Sequence, residues 1–464
     1  MKREQDDKNR PGSKPGSKKR MLLFAFAALL ILGGCASKAE NTDGTVDTGN
    51  TQEMTGTGAS GAQNGAAGAQ GGAIDAQNAA AGTQGQTAGI PPLTEYVSDE
   101  EMERADMWGS CDDAALAAVM KKAAAGEHVT IACIGGSITE GTISNGSDDA
   151  QVGFKKSYAN IFFEWWETAF PDTEFTMINA GIGATDSYIG VHRVQKDVLD
   201  YQPDLVLVEF SVNDSNSVTA KTNYDNLVRK ILKSDSNPAV MLLFMGQTNG
   251  SNAQEQHVLV GFNYQLPMVS YANVISDMMQ NQIYTDKQLS GDVTHPSALG
   301  HAIAGEILWK YLNAVYADMD AYEDPKPFDK AAVTYEAYMD AKILDSLTIV
   351  ADDLGTFQES SVFDRFPNDW TCKEGDGGLT FTVNCRNIGI MYYQTIDGKS
   401  GQYEVYVDGE CVRTLNADFS GGWGNHAEAV EVYSSDAPAE HTIVIKKAPD
   451  STGDVFTVLG LMIS

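Results

Sequence analysis

An aspartate and a histidine three residues apart, Asp292 and His295 in the run Gly-Asp-Val-Thr-His-Pro, lie far downstream of a Gly-Gly-Ser-Ile-Thr turn at residues 135–139. A serine hydroxyl is a poor nucleophile until an imidazole accepts its proton, and that imidazole needs a carboxylate to fix its tautomer and favour its charged form. Ser137, His295 and Asp292 are the residue types this chemistry requires. Acyl transfer also needs hydrogen-bond donors aimed at an oxyanion, which amides in glycine-containing turns and an asparagine carboxamide can supply. Each motif alone has a plainer reading. Gly-Gly-Ser can be a simple turn or an anion-binding loop, Asn213-Asp214 a polar turn, and Asp-x-x-His-Pro the entry to a helix.

The pattern of elements brings these residues together. Short apolar runs at 129–134, 175–179, 205–210, 240–245 and 268–271 lack polar alternation and read as buried strands. Helical patterns separate them at 112–125, 158–170, 188–199, 224–232, 272–279 and 298–316. Strands of this kind alternating with helices predict an α/β domain with a parallel sheet covered on both faces. Ligands bind such sheets outside the carboxyl ends of the strands. Ser137, Gly181, Asn213 and the pair Asp292 and His295 all follow predicted strands there.

In this order the residues resemble the SGNH, or GDSL-type, hydrolase family. The four blocks correspond to Gly135-Gly136-Ser137-Ile138-Thr139, Asn179-Ala180-Gly181, Val212-Asn213-Asp214 and Asp292-Val293-Thr294-His295-Pro296. The resemblance implies a flavodoxin-like sheet, Ser137 as nucleophile, His295 as general base and Asp292 as its orienting carboxylate. It also implies an oxyanion hole made of the Ser137 and Gly181 amides and the Asn213 side chain. Two positions depart from the pattern: Gly136 stands where the family has aspartate, and Ser211 where the third block usually has glycine. Both bear on loop shape rather than on the reacting groups.

The first 20 residues carry eight Lys or Arg against three Asp or Glu, and an apolar run at 21–32 leads to Gly33-Gly34-Cys35. That run is short for a membrane span and suits a signal-peptide core. The small residues before Cys35 resemble a bacterial lipobox, which implies cleavage after residue 34, lipid on Cys35 and a protein held to a membrane on its extracytoplasmic side. Residues 35–92 are rich in Gly, Ala and Gln and read as a disordered tether, with a reach of roughly 40 Å. The net charge of −31 disfavours nucleic acid and anionic polymers as partners. Cys111, Cys133, Cys372, Cys385 and Cys411 form neither a disulfide framework nor a zinc-like spacing, and no motif calls for a metal, nucleotide or other cofactor.

The hydrolase domain is expected over 93–320, an acidic helical linker over 321–348 and a small antiparallel β-sandwich over 349–464, with hairpin signals at Asp397-Gly398 and Asp408-Gly409. This arrangement resembles carbohydrate O-acetyl esterases that carry an accessory sandwich, which implies an acetylated glycan as substrate. Trp370, Tyr392, Tyr393 and Trp423 offer sugar-stacking surfaces or, equally, core packing. Glycines around Trp423 favour a loop tip for it. His192 and Arg193 could line a cleft, and His257 could touch substrate. Two other functions remain open from the residues: a lipid-directed esterase, lysophospholipase or thioesterase using the same apparatus, and a carbohydrate-binding surface lipoprotein without catalysis.

Overall fold

A computed structural model of the chain describes residues 95–107, 111–147 and 156–464. The leader, Cys35 and the Gly/Ala/Gln-rich tether lie outside the described residues. Five parallel strands form the first sheet: β1 (Val129–Gly135), β2 (Phe175–Gly181), β3 (Leu205–Glu209), β4 (Ala239–Phe244) and β5 (Met268–Ser270), in the order 2-1-3-4-5. Every residue of β1, β3 and β4 is buried, which is why their sequences run apolar without alternation. Ile131 and Cys133 face one core and Ala132 and Ile134 the other, as the two-residue repeat of a strand requires.

Helices α1 (Asp99–Ala105), α2 (Ala114–Ala124), α3 (Ser137–Glu140), α4 (Tyr158–Ala169), α5 (Ser187–Asp197), α6 (Val218–Leu232), α7 (Gln254–Tyr264), α8 (Tyr271–Gln280), α9 (Asp286–Leu289) and α10 (Ala298–Ala317) complete the domain. Helix α4 shows how they seat. Ser157 caps it, and Tyr158, Ile161, Phe162, Trp165 and Trp166 form the buried stripe that 3.6 residues per turn produce. Each such burial contributes roughly 1.5–3 kcal/mol. The same packing sets Tyr158 beside the turn that follows β1, where its hydroxyl lies 2.6 Å from Thr139 Oγ1.

The carboxyl-terminal part is a curled antiparallel sheet. Its strands are β6 (Lys342–Leu344), β7 (Phe357–Ser360), β8 (Asp369–Cys372), β9 (Leu379–Gln394), β10 (Gln402–Val407), β11 (Glu410–Asn416), β12 (His426–Lys447) and β13 (Phe456–Ile463). Seven run in the order 11-10-12-9-13-8-7, and β6 pairs with β13. Register breaks at Glu431/Tyr433 and Ser434/Ala439 bend the long β12 against β9, so the sheet curls around its own apolar core. Asp408-Gly409 closes the β10–β11 hairpin with both residues at positive φ. Asp397-Gly398 does not close a hairpin, because β9 and β10 each pair with β12 rather than with each other.

The linker also differs from expectation. After the short 3-10 turn Met319–Ala321 it has no helix; Pro325 and Pro327 offer no amide hydrogen for one. Its backbone is held instead by α6. Asp225 accepts from the Thr334 amide and hydroxyl, both at 2.7 Å, and Arg229 donates to the Lys330 carbonyl. Tyr338, Met391, Leu459 and Met462 join the apolar cluster under α5 and α6, so the β domain shares a core with the hydrolase domain.

Candidate active site

Strand register places the chemistry at one edge of the parallel sheet. Gly135 is level with Gly181 on one side and with Glu209 on the other. The strand order reverses direction between β1 and β3, which opens a crevice between the turns that follow them. Ser137 opens α3 directly after β1, and Asn213 follows β3. His295 and Asp292 arrive from the loop before α10, whose cap is Ser297.

Ser137 Oγ lies 2.9 Å from His295 Nε2, and His295 Nδ1 lies 2.8 Å from Asp292 Oδ2. The three residues brought together by sequence pattern are therefore in hydrogen-bonded line. Asp292 Oδ1 also accepts from the His295 amide at 2.7 Å and the Thr294 amide at 3.0 Å. Partial burial pushes the Asp292 carboxyl up, but the His295 amide, the His295 ring and the Thr294 amide together hold it below the usual carboxylate range. The loop is tightly wound: Val293 sits at φ 78°, a region that costs a β-branched residue strain. Two hydroxyls pin the loop further, with Ser144 and Ser290 donating to the His295 carbonyl.

Behind His295, buried His301 stands between α4 and the turn after α3. It accepts the Tyr158 amide on Nδ1 and donates from Nε2 to the Thr142 carbonyl, at 3.1 and 3.0 Å. Burial lowers its pKa to about 4, so the ring is neutral and its tautomer is set. This links the loop after Ser137 to α10, the helix that follows His295.

The two departures from the family pattern have structural explanations. A Cβ on Gly136 would fall 2.1 Å from Asn213 Oδ1, so a glycine there lets the Asn213 carboxamide settle against the turn. Ser211 donates to the Met245 carbonyl at 2.7 Å and hydrogen-bonds Glu209, the buried residue ending β3. Burial raises Glu209 to about 7, and Thr139 supplies it another hydrogen bond.

Gly181 is not a free donor. Its amide gives its hydrogen to Asn179 Oδ1 at 2.9 Å. It is glycine because a Cβ would lie 2.1 Å from the Glu140 amide nitrogen, where α3 packs on the strand end. After β2 the cleft is lined by Gly183, whose amide is bonded to Glu140, and by Ala184, held at φ 60°. No hydrogen bond among the described residues takes the Ala184 or Ser137 amide. Ala184 passed unnoticed in the sequence because a free backbone amide has no side-chain signature.

His192, Arg193 and His257 do not reach the cleft. His192 packs its ring against Tyr188 and Tyr338, and burial lowers its pKa to about 3. Arg193 spends its guanidinium on the Ala180 and Gly135 carbonyls, at 2.7 and 2.9 Å, tying β2 to β1. His257 stacks on Tyr224 with ring centres 3.6 Å apart and bonds Asp214, which in turn accepts the Ser187 amide. All three brace the loops around the site from inside the fold.

The triad opens into a cleft of about 1020 Å³ whose far wall belongs to the β domain. Phe363 and Arg365 come from the β7–β8 loop, Gln394 ends β9, and Phe419, Trp423 and Asn425 lie between β11 and β12. His426 and Glu428 at the start of β12 complete it. Trp423 is 70% exposed, with Phe419 and His426 packed beside it. Trp370 and Tyr392 are core residues instead, and Tyr393 stacks on Phe363. Nothing local in the sequence marked the wall residues, apart from the glycines flanking Trp423.

Residues 133–303 match the profile of the GDSL-like lipase/acylhydrolase family. A solved two-domain esterase active on acetylated mannans is 30% identical, with a TM-score of 0.71 over 78% of this chain and 98% of that one. The chain belongs to this hydrolase family. A second structure of such an esterase, co-crystallized with mannopentaose, is 28% identical, with a TM-score of 0.69 over 78% of this chain and 97% of that one. No curated protein matches the sequence. Membership and the shared two-domain architecture make the chain an ester hydrolase, with the parallel sheet and the curled antiparallel sheet both within the likeness.

Proposed function

We propose that this hydrolase is a serine esterase removing O-acetyl groups from a mannan-type polysaccharide or its oligosaccharides. The observation that carries the reading is the cleft itself: Ser137, His295 and Asp292 on one wall face the exposed Trp423 on the other. An indole face suits a sugar ring, and the polar groups of Asn425, His426 and Glu428 suit its hydroxyls. The similarity to a two-domain esterase active on acetylated mannans supports the polymer class.

In this reading the Ser137 hydroxyl adds to the acetyl carbonyl while His295 Nε2 takes its proton. Asp292 accepts the Nδ1 hydrogen and favours the imidazolium. The oxyanion receives hydrogen bonds from the Ser137 and Ala184 amides and the Asn213 carboxamide. Collapse breaks the bond to the sugar oxygen, which leaves with the proton from His295. Water then attacks the acetyl-serine through the same base, releasing acetate and restoring the hydroxyl.

A chain-length series of nitrophenyl esters, together with mass spectrometry of treated acetylated mannan, tests the assignment. Acetate is expected to be the best ester and mannan to lose acetyl mass. Preference for about eight carbons or more would point to lipid substrates and sink the proposal.

The reading includes the cell surface: Cys35 carries the lipid, and the segment after it holds the domain clear of the membrane. Cys35→Ala is expected to move the protein from the membrane fraction to the soluble one. Unchanged partitioning would refute the anchor.

A further inference from the structure

The geometry points to the β domain as a positioning device for the oxyanion loop, acting through Arg365 and Glu140. This rests on the reading above, in which Ser137 attacks and the Ala184 amide receives the oxyanion. Glu140 ends the single turn of helix that Ser137 begins. One of its carboxylate oxygens, Oε2, accepts the Gly183 amide at 2.8 Å, and Gly183 immediately precedes Ala184. The other, Oε1, is paired with the Arg365 guanidinium, which comes from a loop 225 residues away.

The arginine has a firm base. Phe363 and Phe366 close its loop with a backbone bridge, and Phe363 stacks on Tyr393 of β9 with ring centres 4.9 Å apart. On the hydrolase side there is no slack either, since the Gly181 backbone packs directly on that of Glu140. A shift of the Glu140 carboxylate is therefore felt at Gly183 and, through the one-turn helix, at Ser137. Charge adds a second effect. Without Arg365, the Glu140 carboxylate keeps only the charge of the buried Arg193 to offset it and is a less balanced negative charge one residue from a donor meant for an oxyanion. Arg365 is thus a positioning residue that touches no reacting atom, and the accessory domain contributes to turnover even for an ester too small to reach its sugar wall.

The pair is partly exposed, with side-chain accessibilities of 46% and 26%, so its leverage is modest and sensitive to salt. Arg365→Ala is expected to lower kcat for nitrophenyl acetate by about twofold to fivefold at low salt, with KM and thermal midpoint near those of the parent. Arg365→Lys should keep most of the rate. Adding Glu140→Gln to Arg365→Ala should recover part of it, because the amide oxygen can still accept from Gly183 without the charge. Raising salt should bring the parent down toward Arg365→Ala and leave the variant unmoved.

Parent-like kcat for nitrophenyl acetate in Arg365→Ala, with only KM for acetylated oligosaccharide raised, would make Arg365 a substrate contact and overturn the inference. Failure of the underlying reading is separately visible, as full hydrolysis of the same ester by Ser137→Ala.

Discussion

Ser137→Ala is expected to lower the turnover of acetate esters by about 10⁵-fold to 10⁶-fold while leaving the protein folded. The Ser137 hydroxyl makes its hydrogen bond to His295, so its removal deletes the atom that would form the acyl-enzyme without opening a core cavity. Helix α3 keeps its backbone bonds, including Glu140 N–H to the Gly136 carbonyl at 2.9 Å. Intact-mass spectrometry after mixing with a nitrophenyl acetate should find one acetyl group on the parent and none on the variant. A variant that still turns over at a tenth of the parent rate would mean that another group attacks, and the triad reading would fall.

Asn213→Ala is expected to cost about 10²-fold to 10³-fold in kcat, equivalent to about 2.7–4 kcal/mol of lost oxyanion stabilisation. The carboxamide is placed by two features independent of substrate: its backbone amide donates to the Phe210 carbonyl at 3.1 Å, and its side chain rests against Gly136. Because it acts on charge that develops during reaction, KM for small esters should move little. Steady-state kinetics on nitrophenyl acetate separates the two effects. A loss below about threefold would remove Asn213 from the oxyanion hole and leave the two amides to hold it.

Sequence made the side-chain chemistry legible and the backbone chemistry much less so. Ser137, Asp292 and His295 could be picked out because only a few residue types do their work, and their ordering relative to apolar strands placed them at one sheet edge. The family resemblance implies the Gly181 amide as an oxyanion donor, whereas that amide is bonded to Asn179 Oδ1 and the glycine marks a place where two backbones touch. The amide that takes this role in the proposed mechanism belongs to Ala184, which lines the cleft and whose type says nothing of its φ of 60°. His192, Arg193 and His257 have reactive side chains but lie on the buried faces of α5 and α7, and burial depends on partners distant in sequence.

Four of the parallel strands were readable as buried apolar runs; β2, expected to be buried as well, is an edge strand whose first five residues are only partly buried or exposed. The antiparallel character of the second sheet was readable from alternation and the Asp408-Gly409 turn. The linker was not readable from composition: its acidic, helix-prone stretch lost to two prolines and to hydrogen bonds offered by α6. Arg365 and Glu428 carried no signal at all. Their importance comes from a fold that returns them to a serine more than 200 residues earlier.

The cleft has divided authorship. Ser137, Asp292 and His295 are written before residue 300, and the surface opposite them after residue 360. Mutation in the later stretch of the gene can reshape which ester fits while the triad stays untouched. Descendants of one such ancestor can therefore drift apart in diet while sharing identical triads, and kinship judged from the triad alone would overlook the change.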